Sequence, residues 1–551
     1  MASALSTPPA RLPLAERSSL AFSVLLGLIS AVLLDFCFPV AGPLPPWRAS
    51  LAWIALVPLL WALVAPGNAA HPRYLRRATL TAWLCGVLWY ILNCYWIYQT
   101  MLLYGHLPPL ASATAVVLFS AILGLYFGLF GLLVAFFRRR SGLIPALALA
   151  PFLWSAIELA AARITSVPWD QFGYSQVDNL WLTRIAPFTG VYGISFVLVA
   201  VGALFTLAVL TPPIRGIAGG AALLVTLVLQ CGSFVKEAPA PTSAYSVLLQ
   251  PNINVEAGDV WPGTQWKGNP NWILEESLRT CTRAYLGIPG SDTPFRTPDC
   301  SHNLAPPGVV VWPEVDSWFT SNDARTQGVL RSIATTTHAP VIAGMLGMDV
   351  TGTYNSAVFT EPDGTIAGRY DKIHLVPFGE YIPYQQLFSM IPQITHQLSP
   401  LQRGSRRKVF HADGHAFGIF VCYESVFADE VRLFAKNGAQ VLVNISDDGW
   451  YGDTSAPWQH LNMTRMRAIE NDRWLLLDTN SGVTTAIDPQ GRVALSAPRH
   501  TLTSLVARYG YRSDLTFYTR FGDVFAYLCA AIGLAALLLS AFTSAPRTDP
   551  R

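Results

Sequence analysis

Three ionisable side chains of different types each follow an apolar, strand-like segment. Glu314 ends VVVWPE, Lys372 lies in GRYDKIHLVPFGEYIP, and Cys422 ends GIFVC. A layered α/β fold exposes polar groups where its strands end, so these residues are candidates for one site. A thiol, a carboxylate and an ammonium group would supply the nucleophile, the base and the oxyanion donor of covalent acyl transfer.

Each of these residues also has an ordinary structural explanation. Glu314 could be a solvated acid that Pro313 turns out of the sheet. Lys372 could lie on the surface, although the chain has only five lysines among 37 basic residues. A lysine pKa can shift on burial, which favours a mechanistic role in a chain that otherwise uses Arg. Cys422 alone would be a small buried hydrophobe.

The setting of Cys422 favours a nucleophile. Its strand runs into Cys-Tyr-Glu and then into VFADEVRLFAKNG, a pattern typical of a helix, so the thiol lies on a strand-to-helix turn. A helix N-terminus and a nearby ammonium group both lower a thiol pKa. His374 is interpreted as structural because no second histidine stands at ligand spacing, and neither a metal nor another cofactor is expected.

The composition indicates a membrane protein. Of the 551 residues, 52% are hydrophobic and 13% are charged. The 37 basic residues nearly balance the 34 acidic ones, and the sequence gives little support to a nucleic-acid partner. A membrane-spanning helix needs about 20 apolar residues. Eight such runs are predicted, at 19–37, 48–66, 78–101, 110–137, 143–162, 190–211, 215–233 and 521–543.

Arginines set the predicted orientation, because basic residues favour the cytoplasmic side and here follow the even-numbered runs. They are Arg73, Arg76, Arg77, Arg138, Arg139, Arg140, Arg215, Arg547 and Arg551. The prediction is a cytoplasmic N-terminus (1–18), a membrane domain with seven helices (19–235), an extracytoplasmic domain (236–515), and an eighth helix with a cytoplasmic C-terminus (516–551). Glu158 and Arg163, near the end of the fifth run, are predicted to form a structural pair.

Residues 236–515 alternate strand-like and helix-like patterns, which indicates an α/β domain with its own core. Strands are predicted at 245–253, 308–314, 339–348, 353–364, 416–422 and 439–446, and a hairpin at 482–495. Helices are predicted at 271–287, 323–339, 426–438 and 457–473.

The motifs around the three residues resemble known families. Glu, Lys and Cys in this order look like the triad of the nitrilase (carbon-nitrogen hydrolase) superfamily, whose fold is an α-β-β-α sandwich. The whole chain resembles the apolipoprotein N-acyltransferase family, through HLVPFGEYIP, CYES and ISDDGWYG, and through VPWDQFGYSQ and APFTGVYGISF between the fifth and sixth runs. A nitrilase without a membrane domain would explain neither the eight apolar runs nor the last two motifs.

The resemblance implies a bacterial inner-membrane enzyme whose catalytic domain faces the periplasm. An acyl chain would pass from a phospholipid, through a Cys422 thioester, to the N-terminal amine of a diacylated apolipoprotein. Glu314 would be the base, and Lys372 would stabilise the oxyanion, together with a backbone N–H such as that of Tyr423.

The resemblance also implies supporting residues. Glu380, Tyr423 and Glu424 would join the site, and Trp261, or Trp266 close behind it, would occupy a family tryptophan position. Two aromatic-rich loops, 384–394 with Phe388 and 447–458 with Trp450, are expected to dip into lipid or to cover a pocket, with packing on the domain core as the alternative.

One segment departs from the family pattern, and two other functions stay open. Residues 281–300 are interpreted as an insertion, whose terminal cysteines Cys281 and Cys300 are predicted to form a disulfide on the oxidising side of the membrane. The first alternative function is a membrane-tethered amidase of the same superfamily. The second is a transporter or scaffold with a degenerate domain, against which the complete triad argues.

Overall fold

The computed structural model describes residues 19–40, 42–253, 255, 277–278, 307–314, 319–382 and 401–542. Within these residues, 20–234 and 517–542 are mainly helical, and two β-sheets with flanking helices lie between them. This arrangement agrees with the apolar runs and with the mixed pattern of the sequence.

The helical part consists of apolar helices joined by short turns. Its main helices are Leu20–Phe36, Val57–Val64, Tyr74–Asn93, Trp96–Leu103, Pro109–Ser141, Leu143–Ala160, Val191–Leu210, Arg215–Gln230 and Val524–Phe542. Shorter helices are Pro46–Ala49, Pro66–Ala69, Leu180–Thr183, Ala186–Thr189 and Phe517–Phe521.

Five helical segments of the described chain are long and apolar enough to cross a membrane. They are Pro46–Ala69, Pro109–Ser141, Leu143–Thr165, Val191–Leu210 and Pro212–Phe234. A sixth results if Tyr74–Asn93 and Trp96–Leu103, which meet at 53°, form one broken span. Leu20–Phe36 and Val524–Ser540 are apolar but shorter, and they coincide with the first and last predicted runs. Eight crossings and their orientation stay predictions.

Small residues let two of these helices approach closely. A Cβ atom added at Gly131 would lie 2.5 Å from the Cβ of Ala82, and one added at Gly86 would lie 2.7 Å from the ring of Phe127. Helices in lipid associate by van der Waals packing, so this contact holds Tyr74–Asn93 against Pro109–Ser141.

Two six-stranded sheets form the core of the mixed part. The first contains β1 Ala244–Gln250, β2 Val309–Trp312, β3 Val341–Asp349, β4 Gly352–Thr360, β5 Ile366–Asp371 and β12 Thr503–Tyr509, in the order β12-β1-β2-β3-β4-β5. The second contains β6 Val409–Ala412, β7 His415–Val421, β8 Val441–Ser446, β9 Trp474–Thr479, β10 Thr485–Ile487 and β11 Val493–Ser496, in the order β11-β10-β9-β8-β7-β6.

The centre of each sheet is parallel. Strand β2 pairs in parallel with β1 and β3, and β8 pairs in parallel with β7 and β9. Parallel neighbours need crossover connections, which here include the helices Ala324–Thr337, Ala428–Lys436 and Ala456–Asn471. Because parallel strands end at the same edge, β7 and β8 deliver Cys422 and Asp447 to one edge of the second sheet.

The sheets pack face to face, and helices cover their outer faces. Between the sheets, Phe359 of β4 stacks on Phe410 of β6 with ring centroids 4.9 Å apart. Strand β2 is apolar at every position because both of its faces are buried: Val309 and Val311 join the main core, whereas Val310 and Trp312 pack with residues of helix Ala324–Thr337. The predicted α-β-β-α sandwich is confirmed.

Most predicted elements are confirmed within the described residues. The strands, the hairpin and the helices predicted at 323–339, 426–438 and 457–473 are present, with small shifts at their ends. The helix predicted at 271–287 lies outside the described residues except for 277–278. Strands β6, β9 and β12 were not predicted, and β5 was expected only as a strand-like segment before Lys372. Strand β12 pairs with all seven residues of β1.

A buried ion pair joins the sandwich to the membrane helices. Arg467 and Glu470 lie on the helix Ala456–Asn471, both have 0% exposure, and Arg467 Nε lies 2.9 Å from Glu470 Oε2. Arg467 Nη2 donates to Tyr174 Oη at 2.9 Å, and the backbone N–H of Val191 donates to Glu470 Oε1 at 3.0 Å. Each partner therefore anchors a different segment of the helical part.

We expect Arg467→Met to lower the stability by about 3–5 kcal/mol, because it leaves the Glu470 charge buried and unpaired. The double variant Arg467→Met/Glu470→Leu should recover much of the loss, and Arg325→Met, in an exposed pair with Asp323, should change little. Thermal unfolding of the detergent-solubilised protein measures all three. A double variant no more stable than Arg467→Met would contradict the charge argument.

Candidate active site

The structure places Glu314, Lys372 and Cys422 at the ends of β2, β5 and β7, in one buried cluster. Their exposed fractions are 4%, 1% and 6%. Lys372 Nζ lies 3.0 Å from Glu314 Oε1, and both charges act electrostatically on the Cys422 thiol. The three strand ends noted in the sequence thus meet, although they come from two different sheets.

Glu314 is positioned by a close approach of β2 and β3. A Cβ atom added at Gly344 of β3 would lie 2.1 Å from the carbonyl oxygen of Pro313 and 2.8 Å from the Cα of Glu314. Only glycine leaves room for this approach. The backbone N–H of Asp447, after β8, donates to Glu314 Oε2 at 2.8 Å, which ties the carboxylate to the second sheet.

Lys372 lies between two carboxylates. Its Nζ is 2.9 Å from Glu380 Oε1 as well as 3.0 Å from Glu314 Oε1. Burial alone would lower the pKa of Lys372, but Glu314 and then Glu380 raise it well above its usual value, so the side chain is an ammonium ion. Glu380, predicted as a supporting residue, is oriented by the backbone N–H of Val376, which donates to Glu380 Oε2 at 2.7 Å.

Asn355 completes this network and was not identified from the sequence. Its Nδ2 donates to Glu314 Oε1 at 2.6 Å and to Glu380 Oε1 at 2.7 Å, and its carbonyl oxygen accepts from the Lys372 N–H at 2.8 Å. The available signal was one amide side chain within the strand-like TYNSAVFT. A buried side-chain amide needs hydrogen-bond partners, so an Asn in an apolar strand is a candidate for a position that faces the site.

Cys422 lies on a strained turn. It begins the 3₁₀ turn Cys422–Val426 and has φ +51°, in the left-handed region that non-glycine residues rarely adopt. Burial, followed by the Glu314 carboxylate, raises the pKa of the Cys422 thiol well above its usual value, and Lys372 opposes this shift. The ammonium group therefore acts in the expected direction, but burial and Glu314 together favour the neutral thiol.

Glu424 ties the Cys422 turn to the segment after Lys372. Its Oε1 accepts from the N–H groups of Ile373 at 2.7 Å and His374 at 3.0 Å, and its Oε2 accepts from the Val421 N–H at 2.8 Å. Tyr370 Oη donates to the same carboxylate at 2.8 Å. Burial raises the pKa of Glu424, although these hydrogen bonds lower it. Its contacts are those of a positioning residue.

Tyr423 and Trp450 contact the helical part. Tyr423 Oη donates to the carbonyl oxygen of Ser166 at 3.0 Å, and its ring stacks at 6.4 Å on that of Trp169, in the predicted loop motif VPWDQFGYSQ. The ring of Trp450 meets that of Tyr104 edge-on at 5.3 Å. This part of the 447–458 loop thus packs against the segment that follows helix Trp96–Leu103.

Other predicted features fall outside the described residues or are corrected. Trp261, Trp266, Phe388, the loop 384–394 and the pair Cys281–Cys300 lie outside the described residues. The predicted pair of Glu158 and Arg163 is wrong. Arg163 forms ion pairs with Asp429 and Asp523, while Glu158 Oε1 accepts from Trp154 Nε1 at 2.9 Å and Phe172 N at 2.8 Å. Among the described residues, no cluster of His, Cys, Asp and Glu could hold a metal ion.

Comparisons with known proteins match both parts of the chain. Residues 30–204 match the family model "Apolipoprotein N-acyltransferase N-terminal domain", and residues 304–509 match "Carbon-nitrogen hydrolase". A relative from Geobacter metallireducens, named apolipoprotein N-acyltransferase, is 31% identical over 94% of this chain and 95% of its own length. One of the same name from Chlorobaculum tepidum is 28% identical over 93% of this chain and 95% of its own.

Solved structures are more distant. Nit3 of Saccharomyces cerevisiae, a nitrilase-superfamily member, is 15% identical, with a TM-score of 0.31 over 50% of this chain and 93% of its own. An amidase from Nesterenkonia sp. is 16% identical, with a TM-score of 0.35 over 53% of this chain and 98% of its own.

We expect Gly344→Ala to reduce activity strongly, because the added Cβ would collide with the Pro313 backbone and displace Glu314. Gly328→Ala is the matched control: its Cβ meets no atom within 4 Å, and in a helix interior it should stabilise the protein by about 0.5–1 kcal/mol. Turnover and thermal unfolding of both variants test this. Full activity of Gly344→Ala would show that Glu314 does not depend on this approach.

Proposed function

Because the chain belongs to the apolipoprotein N-acyltransferase family, we propose that it transfers an acyl chain to the N-terminal amine of a diacylated lipoprotein. A phospholipid is the proposed acyl donor, and the proposed location is a bacterial inner membrane with the catalytic domain facing the periplasm. The observation that carries the mechanism is the buried cluster of Glu314, Lys372 and Cys422, held against the loops of the membrane helices.

The first half-reaction acylates Cys422. Glu314 takes the proton of the thiol while Sγ attacks the sn-1 ester carbonyl carbon of the phospholipid, and the carbonyl oxygen becomes an oxyanion. Lys372 Nζ and the backbone N–H of Tyr423 stabilise this charge. The C–O bond then breaks, Glu314 returns the proton to the leaving alkoxide, and a lysophospholipid departs from the thioester.

The second half-reaction discharges the thioester. The α-amine of the lipoprotein's N-terminal cysteine attacks the thioester carbon, and Glu314 accepts a proton from the nitrogen. The same donors stabilise the second oxyanion, the C–S bond breaks, and the thiolate regains a proton from Glu314. The raised pKa of the Cys422 thiol supports this scheme, since a resting thiol needs the adjacent carboxylate at each step.

With phospholipid but no lipoprotein, the protein should accumulate an acyl group on Cys422 that hydroxylamine removes. Cys422→Ala should show no adduct, and Glu314→Gln should form it far more slowly because the thiol lacks its base. Lys372→Ala should slow acylation and transfer together, by about 10²–10³-fold, since each step passes through an oxyanion. Intact-protein mass spectrometry measures the adduct, and normal lipopeptide acylation by Cys422→Ala would refute covalent catalysis.

The acceptor separates the transferase from the amidase alternative in the same assay. A diacylated lipopeptide with a free N-terminal amine should discharge the adduct into an amide. An unmodified Cys422 together with rapid hydrolysis of a small amide would support the amidase instead.

The proposed topology predicts different accessibility at two exposed positions. A membrane-impermeant maleimide should label Val350→Cys, whose side chain is fully exposed, in spheroplasts with an intact inner membrane. It should label Ser141→Cys, which follows Arg138, Arg139 and Arg140, only after permeabilisation. The parent protein, labelled in parallel, corrects for native cysteines. The reverse pattern would place the catalytic domain in the cytoplasm.

A further inference from the structure

His460 is a completely buried histidine that the proposed mechanism does not use. It lies on the helix Ala456–Asn471, next to the turn that carries Cys422. Its Nδ1 lies 3.0 Å from Asp448 Oδ1, and both side chains have 0% exposure. Its Nε2 lies 3.2 Å from the carbonyl oxygen of Cys422 and 2.6 Å from Ser425 Oγ.

The partners of the ring favour a proton on each of its nitrogens. The carbonyl oxygen of Cys422 can only accept a hydrogen bond, so a bond to it needs a proton on Nε2, which Ser425 Oγ then shares as a second acceptor. The Asp448 carboxylate accepts from Nδ1 and also from Ser446 Oγ, at 2.7 Å, so Nδ1 carries a proton as well. A ring with a proton on each nitrogen is an imidazolium ion, and its charge compensates that of Asp448 in the interior.

The hydrogen bond from His460 to the Cys422 carbonyl oxygen also affects the orientation of the Tyr423 N–H. The C=O of Cys422 and the N–H of Tyr423 belong to the same peptide unit, which is planar and trans, so they point in opposite directions. The carbonyl oxygen also accepts from Asn444 Nδ2 at 3.3 Å. Two donors on the oxygen therefore fix the direction of the N–H at the other side of the unit.

We propose that Asp448 and His460 are positioning residues for the oxyanion site: the His460 cation holds and polarises the Cys422–Tyr423 peptide so that its N–H donates to the reacting carbonyl oxygen. A charged donor on the C=O withdraws electron density from the peptide and makes its N–H a stronger donor. This inference rests on the proposed function, because it concerns the second hydrogen-bond donor that stabilises the oxyanion together with Lys372.

Other titratable groups surround the ring. Asp448 comes from the 3₁₀ turn Asp448–Tyr451, Glu314 from the end of β2, and the Tyr451 ring lies 6.5 Å from the imidazole. Burial alone would lower the pKa of His460, but Asp448 and, to a smaller extent, Glu314 raise it above its usual value. Without the Asp448 charge, burial would favour the neutral ring.

Two variants of His460 separate its two ring nitrogens. His460→Gln can keep an amide N–H near the Nε2 position, whereas His460→Asn places its amide near Nδ1, within reach of Asp448 only. We expect His460→Asn to slow the acylation of Cys422 by phospholipid about 10²-fold, as for loss of an oxyanion donor. His460→Gln should acylate several times faster than His460→Asn. Alkylation of Cys422 by iodoacetamide forms no oxyanion, so its rate should be similar in both variants and in the wild type.

The outcomes are distinguishable. The exposed residue His411 provides a control, and His411→Asn should acylate at the wild-type rate. Equal acylation rates for His460→Asn and His460→Gln, or a parallel loss of alkylation, would overturn the assignment. Failure of wild-type Cys422 to take an acyl group would instead overturn the proposed function, and this inference with it.

The pH profile provides a readout that a purely structural role would not change. Asp448→Asn removes the charge that raises the pKa of His460, so the ring should lose its second proton at a lower pH than in the wild type. The Cys422 carbonyl then loses its charged donor, and the acylation rate should fall as the pH rises through this lowered pKa. A profile with the same shape as that of the wild type would contradict the proposal.

Discussion

The buried ammonium group of Lys372 is the constraint on which the catalytic domain depends. A charge out of water must be compensated, and here Glu314, from the end of β2, and Glu380, from the segment after Lys372, lie within 3.0 Å of it. Asn355 of β4 donates to both carboxylates. Residues from β4, from the end of β2 and from the segment after β5 therefore meet around the Lys372 ammonium group. An ammonium group has three donors, and among the described residues Lys372 Nζ binds these two carboxylates, which is compatible with the proposed role of its third donor.

The turn that carries Cys422 is also tied to the helical part of the chain. The residue after Cys422, Tyr423, binds the carbonyl oxygen of Ser166 and stacks on Trp169, and Trp169 Nε1 donates to Gln459 of the catalytic domain at 2.9 Å. Gln459 in turn donates to the carbonyl oxygen of Asn93, at the end of a membrane helix. The turn that carries Cys422 is thus held against the helical part, which supports the proposal of an acyl donor from the membrane.

The sequence predicted the residues that can be recognised by their position at the end of a strand. It did not predict contacts between residues that are far apart in the chain. Glu314, Lys372 and Cys422 each end an apolar strand, and this local signal predicted residues that the structure brings into one buried cluster, while their catalytic roles stay proposals. Asn355 and His460 carried no comparable signal, because their roles depend on residues of other strands and helices. The pair of Glu158 and Arg163 was inferred from nearness in sequence, but Arg163 extends to Asp429 and Asp523, from distant segments. Strand β12 was missed for the same reason, since its partner β1 opens the domain.

The left-handed backbone of Cys422 links these observations. A non-glycine residue in this region costs about 1–3 kcal/mol, and it persists only where the surroundings determine it. On one side, Glu424 joins the Val421 N–H to the segment after Lys372. On the other side, Asn444 and His460 bind the Cys422 carbonyl oxygen. Glycine would relieve the strain but lacks the thiol. The strain therefore lies at the proposed nucleophile, and buried hydrogen bonds from both sheets and from the helix Ala456–Asn471 hold the Cys422 turn near Glu314 and Lys372.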